Sequence, residues 1–176
     1  MPKRFLRRAR YAWLSPARWR KRLVFWSGAL AVGLAAVLFA IGGDWAHTGF
    51  NRLIGMSPWL PLLVTPAGFV AIVYVTRRYF PGSQGSGIPQ SIAALKIEDE
   101  AARNRLLSLR IAFSKVLLTL FGLLCGASVG REGPTVQVGA SILHSIGALG
   151  RFSRLEAERA LIIAGAMRIT DALGVR

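Results

Sequence analysis

Long apolar stretches alternate with short charged or glycine-rich segments along this chain. Four stretches are candidates for long helices: residues 23–41, 53–76, 111–130 and 133–150. Apolar helices of about 20 residues cross the roughly 30 Å of hydrocarbon in a bilayer. The third stretch carries one charge, Lys115, and the fourth contains Gln137 and His144, which make it too polar for a simple lipid-facing span. The pattern predicts an all-α integral membrane protein that crosses the bilayer several times.

The basic residues of the N-terminal segment indicate how the chain is oriented. Nine of the 23 basic residues lie in residues 1–22, directly before the first apolar stretch. Positive charge flanking a first span stays in the cytoplasm, so a cytoplasmic N-terminus is predicted. Residues 44–58 are predicted to be a polar connection outside, and the second span returns to Arg77 and Arg78. Attraction of the basic segment to anionic lipid is a compatible alternative.

The segment that follows the second span is too short to cross the membrane. The run "PGSQGSGIPQSIAAL", residues 81–95, holds three glycines and two prolines and has basic residues on both sides. Irregular backbone is tolerated at membrane depth only where protein or a wet cavity satisfies it. We therefore expect a re-entrant half-helix that enters and leaves from the cytoplasmic face.

Two glycine-rich motifs each precede a predicted helix. In "GSGIP", Pro89 marks the first turn and Ser86 is expected near the helix cap. Free amides and the helix dipole attract an anion to such a terminus, although an ordinary Ser-capped turn is the alternative. "GREGP" repeats the pattern, so two helix starts could serve one site. The residues concerned are Gly85, Ser86, Gly87, Ile88 and Pro89, then Gly130, Arg131, Glu132, Gly133 and Pro134.

Glu132 is the unusual residue of the second motif. A carboxylate between apolar stretches is costly unless it has a task or a partner. When ionised, Glu132 could occupy the anion site itself, and when protonated it would leave the site, so it could act as a gate and proton acceptor. The alternative is that Glu132 pairs with Arg131 in a wet turn between two spans.

Several other functions are disfavoured by the residues. The net charge of +15 could suit a nucleic-acid binder, but the apolar spans exclude a soluble one. Cys125 is the single cysteine, so an internal disulfide is impossible, and one cysteine with two distant histidines makes a metal site improbable. "GSQGSG" lacks the lysine of a phosphate-binding loop. No enzyme activity, metal or cofactor is expected.

The two motifs, in this order and about 45 residues apart, resemble the first half of the CLC chloride channels and chloride/proton antiporters. The similarity extends over residues 23–166. It implies a homodimer in which each subunit has its own pore, built from two inverted halves, with chloride at helix N-termini and protons as a second substrate in antiporters. It also implies that Ser86 contacts the anion and that Glu132 is the outer gate. Gly130, Arg131, Gly133 and Pro134 would shape that gate.

The chain departs from the family after about Ala166. Residues 167–176, "MRITDALGVR", are predicted to be an aberrant tail, which a frameshift, a truncation or a sequencing error would explain. The predicted organisation is a basic segment 1–22, a CLC-type N-terminal half 23–166 and this tail. Such a chain is expected to need a second half for transport. The alternative is a small membrane interaction protein that associates with a full-length relative or with anionic lipid, and channel or antiporter remains open.

Overall fold

The computed structural model of the chain describes residues 16–97 and 99–149. The described part is all-helical, which confirms the predicted fold class. Its helices are α1 (Pro16–Met56), α2 (Leu60–Tyr79), α3 (Ile88–Lys96), α4 (Glu100–Leu106), α5 (Leu109–Leu124) and α6 (Glu132–Leu149). The predicted N-terminal segment and tail lie largely outside the described residues, and the two boundaries between the three predicted segments stay predictions.

Three stretches of the described chain are long and apolar enough to cross a membrane. They are Trp26–Met56, Leu60–Tyr79 and Glu100–Leu124. α6 is not among them, as its polar composition leads one to expect. It lies instead in the centre of the fold, in contact with α1, α3 and α5. Its residues from Gln137 to Ser141 are all buried, so the polar helix is shielded by the apolar ones.

The predicted polar connection at residues 44–58 is wrong for most of its length. α1 continues as one helix to Met56, and only three residues, Ser57 to Trp59, lead into α2. No proline interrupts the chain between Pro16 and Pro58, so nothing stops the helix where its polar residues begin. With 41 residues, α1 is about twice as long as a bilayer core is thick. Its exposed polar end, which includes Asp44 and Asn51, extends the helix without breaking it.

Glycines bring α1 close to the helices it covers. A methyl group at any of three α1 glycines would lie within 3.0 Å of a leucine on α5 or α6. Small residues at helix contacts let backbones approach closely, which is how helices associate in lipid. The facing pairs are Gly28 with Leu143, Gly42 with Leu120, and Gly49 with Leu124.

A similar close contact joins α2 to the end of α5, and it provides a test of the packing. An ideal Cβ on Gly68 would lie 2.7 Å from the Cβ of Cys125, which is itself buried. Gly68→Ala is expected to lower the free energy of unfolding by about 1–3 kcal/mol, because neither atom can rotate away. The measurement is unfolding of the detergent-solubilised protein in increasing SDS, followed by circular dichroism.

Gly55 provides the matched control. It also lies in a helix, but a Cβ there would meet nothing within 4 Å. Gly55→Ala is expected to leave stability unchanged or to raise it by up to about 1 kcal/mol, the usual difference in helix propensity. Equal stabilities of the two variants would contradict the packing described here.

Candidate anion site

The two glycine motifs lie against each other through their backbones. An ideal Cβ on Gly87 would be 2.9 Å from the carbonyl oxygen of Gly133, and one on Gly133 would be 2.7 Å from the carbonyl oxygen of Ser86. Side chains at these two positions would therefore push the motifs apart. The start of α3 and the start of α6 meet at one place, which is consistent with the expectation, drawn from the repeated motif, that the two helix starts could serve one site.

The first motif starts its helix one residue later than a serine cap would. α3 begins at Ile88 with Pro89 in its first turn, as predicted, but the residue at the N-cap is Gly87. Ser86 lies near the cap as expected, one residue before it, but no side chain caps this helix, so the alternative of an ordinary Ser-capped turn is wrong. Gly87 has a φ of 99°, which glycine adopts without strain. Its carbonyl oxygen accepts hydrogen bonds from both the amide and the hydroxyl of Ser91, at 3.1 and 2.9 Å.

A cavity of about 650 Å³ lies beside the paired motifs. It is an open cavity lined by α2, the 83–88 loop, α5 and the chain from residue 127 to 134. Its two charged lining residues within the described chain, Arg77 and Lys115, are both cationic. The motif residues that line it are Gly85, Ser86, Ile88, Gly130, Gly133 and Pro134.

The backbone of the 82–85 loop is held by side chains from α5 and α6. Gln137 donates its amide to the carbonyl oxygen of Gly82 at 3.1 Å and to that of Leu106 at 3.2 Å. Lys115 donates to the next three carbonyl oxygens along the loop. By contrast, no backbone hydrogen bond donated by the amides of residues 84–88 occurs within the described chain. Such amides are suited to binding an anion.

Arg131 of the second motif forms an ion pair, but its partner is not Glu132, which the alternative interpretation had paired with it. Arg131 forms a 2.9 Å salt bridge with Asp44 of α1 and donates to the carbonyl oxygen of Ala40 at 2.9 Å. The alternative in which Arg131 neutralises Glu132 is therefore wrong. Asp44 lies 87 positions before Arg131 in the sequence, and the helical path of α1 brings it there.

Glu132 is the first residue of α6 and is exposed. Its carboxylate has no hydrogen-bond or ion-pair partner among the described residues, and it does not line the cavity. Neither does Arg131, although Gly130, Gly133 and Pro134 on either side do. A carboxylate at a helix N-terminus is stabilised by the free amides of the first turn. Glu132 thus stands beside the cavity and is not anchored to a cation.

Lys115 and Gln137 are site residues that the motifs did not predict. Both were recognisable as polar residues inside apolar stretches, but the sequence does not show which backbone groups they bind. His144, in contrast, belongs to the packing around the site: its Nε2 lies 2.6 Å from the Oδ1 of Asn104 and joins α6 to α4. No cluster of metal-ligand side chains is found within the described residues.

These helices define a membrane protein, and the charged residues that line its cavity within the described chain are cationic. The family model described as "Voltage gated chloride channel" matches residues 67–167, a range that includes both glycine motifs. The chain belongs to this CLC family, and the resemblance drawn from the motifs is confirmed. No solved structure matches the chain. Family membership indicates a chloride channel or transporter as the kind of function.

Proposed function

We propose that the chain conducts chloride as part of a CLC-type channel or chloride/proton antiporter, and that the anion binds in the cavity beside the paired motifs. One observation carries this proposal above the others. Two helix N-termini from separate segments meet at a cavity whose charged lining, within the described residues, is cationic. Helix N-termini and unpaired amides bind an anion without a direct ion pair, and so allow it to leave again.

In this proposal, Ser86 contacts the anion through its hydroxyl group, and Gly85, Gly87, Ile88 and Pro89 form the loop and helix start around it. Ser86 is exposed and lines the cavity, and its side chain is not used as a helix cap. The hydroxyl is therefore available to donate a hydrogen bond to chloride. Glu132 is the gate, since it stands at the start of α6 next to the cavity-lining residues Gly133 and Pro134.

Several wider features of the proposal follow from family membership and charge. The N-terminus is cytoplasmic, and α1 and α2 form a hairpin whose ends, near Arg22 and Arg77, both face the cytoplasm. The transporting unit is a multi-pass homodimer in the plasma or inner membrane, and protons are a second substrate if it is an antiporter. The alternative function is that of a small interaction protein that binds a full-length relative or anionic lipid. The experiments below distinguish it from chloride transport.

Ser86→Ala tests the anion site directly. Its dissociation constant for chloride is expected to rise about 10- to 100-fold, because a hydrogen bond to a charged group contributes roughly 1.5–3 kcal/mol. The measurement is equilibrium dialysis of radioactive chloride against the purified chain in detergent. The chain is assayed alone and after co-expression with the C-terminal half of a full-length family member.

Ser57→Ala is the matched control, because Ser57 lies between α1 and α2 and does not line the cavity. Chloride binding by this variant is expected to equal that of the parent chain. If Ser86→Ala binds chloride as tightly as Ser57→Ala does, the anion site lies elsewhere. If the parent binds none in either preparation but co-purifies with the full-length relative, the interaction protein is favoured instead.

A further inference from the structure

Lys115 is a charged residue buried in the middle of the fold. Its side chain belongs to α5 and is 3% exposed. The ammonium group donates hydrogen bonds to three successive carbonyl oxygens, those of Ser83 at 2.8 Å, Gln84 at 3.3 Å and Gly85. An ammonium has three donor hydrogens and no acceptor. Three carbonyl oxygens match that capacity, so the ammonium group is fully paired.

The position of these carbonyl groups affects whether the cavity can bind an anion. Carbonyl oxygens carry partial negative charge and would repel an anion that approached them. Lys115 donates hydrogen bonds to the three carbonyl oxygens that immediately precede Ser86. Gln137 donates one to the carbonyl oxygen of Gly82. The amides of residues 84–88 make no backbone hydrogen bond within the described chain. The loop thus turns its acceptors toward α5 and α6 and leaves its donors available.

The free-energy cost of burying a charge also indicates that Lys115 has a function. A lysine inside an apolar helix is expensive, and such residues are generally paired and functional. A neutral donor such as an amide or a hydroxyl could satisfy carbonyl groups at lower cost. A lysine supplies, in addition, a positive charge in the wall of the cavity, where it is one of the lining residues.

We propose that Lys115 is a positioning residue for the anion: it fixes the 83–85 carbonyl groups away from the cavity and adds a positive charge behind the loop. This inference rests on the proposed function, because it assumes that the cavity holds chloride. Lys115 makes its contribution through the loop and need not touch the anion. Loss of the Lys115 ammonium group is therefore expected to make residues 83–88 more mobile and, at the same time, to weaken anion binding.

The test compares Lys115→Met and Lys115→Gln with the parent chain. Methionine keeps the length of the side chain but loses both charge and donors, and glutamine keeps two amide donors without charge. The dissociation constant for chloride is expected to rise about tenfold or more in the methionine variant, as for truncation of a buried, hydrogen-bonded charge. Glutamine is expected to give an intermediate value. Hydrogen exchange of the peptide covering residues 82–88 is expected to accelerate in the same order.

Arg77→Met is the comparison for charge alone, because Arg77 lines the cavity and no hydrogen bond to the loop is found for it among the described residues. It is expected to weaken chloride binding without faster exchange of residues 82–88. Unchanged binding and exchange in a folded Lys115→Met or Lys115→Gln variant would overturn the inference. If the methionine variant does not fold, the glutamine variant decides by the same criterion. Absence of chloride binding by the parent would instead refute the proposed function.

Discussion

Glu132→Ala is expected to leave chloride flux intact and to abolish its dependence on protons. The site shows why: the carboxylate lies at the positive end of α6, beside the cavity and without a partner among the described residues. In the proposed function, an ionised Glu132 competes with chloride for that position, and protonation removes the competitor. In the parent, acidification should therefore raise the flux, whereas the alanine variant should conduct equally at every pH.

The measurement is chloride efflux from liposomes, recorded with a chloride electrode while a pH electrode follows protons. The chain is co-reconstituted with the C-terminal half of a full-length family member. If the complex is an antiporter, a chloride gradient drives protons uphill in the parent, and this movement should fall to background in Glu132→Ala. If it is a channel, only the pH dependence of the flux is lost, so the same experiment separates the two.

Glu100→Ala controls for the loss of a negative charge. Glu100 starts α4 and does not line the cavity, so its removal should leave proton movement and pH dependence as in the parent. Proton-coupled or pH-dependent flux that survives unchanged in Glu132→Ala would exclude Glu132 as the gate. The arrangement of the two motifs would then need another explanation.

The starts of the half-helices could be predicted because glycine and proline act locally. Pro89 and Pro134 can occupy only the first turn of a helix without disrupting it, and both do so. The predicted polar connection over residues 44–58 was wrong for most of its length for the opposite reason. Polar residues do not end a helix that has no breaker, and Asp44 continues α1 to a contact with Arg131.

The predictions that depended on long-range contacts were less successful. The alternative interpretation paired Arg131 with the adjacent Glu132, whereas α1 places Asp44 at 2.9 Å from Arg131. Lys115 was visible as a single charge in an apolar stretch, whereas its acceptors lie about 30 positions away. Hydrogen bonds of this kind depend on how α5 packs against the loop, and no periodicity in the sequence encodes that packing.

The second large effect is expected for Gly87→Ala, because Gly87 lies at the contact between the two motifs. The new methyl group would lie 2.8 Å from the Cβ of Gln137 and 2.9 Å from the carbonyl oxygen of Gly133. The φ of 99° at Gly87 adds strain for any L-residue, on the order of 1–3 kcal/mol. Since the obstructing atoms all belong to α6 near its start, the variant is expected to separate α3 from α6 and to lose chloride binding together with stability.

SDS unfolding and chloride dialysis on the same preparation measure both effects, and Gly33→Ala is the control. Gly33 is a helical glycine of α1 with nothing within 4 Å of an added Cβ, so this variant should bind chloride as the parent does and be equally stable or up to about 1 kcal/mol more stable. A loss of stability in Gly87→Ala with chloride affinity preserved would show that the motifs only pack against each other. Loss of both would mean that the anion depends on the close approach of Gly87 and Gly133, which any side chain at either position would prevent.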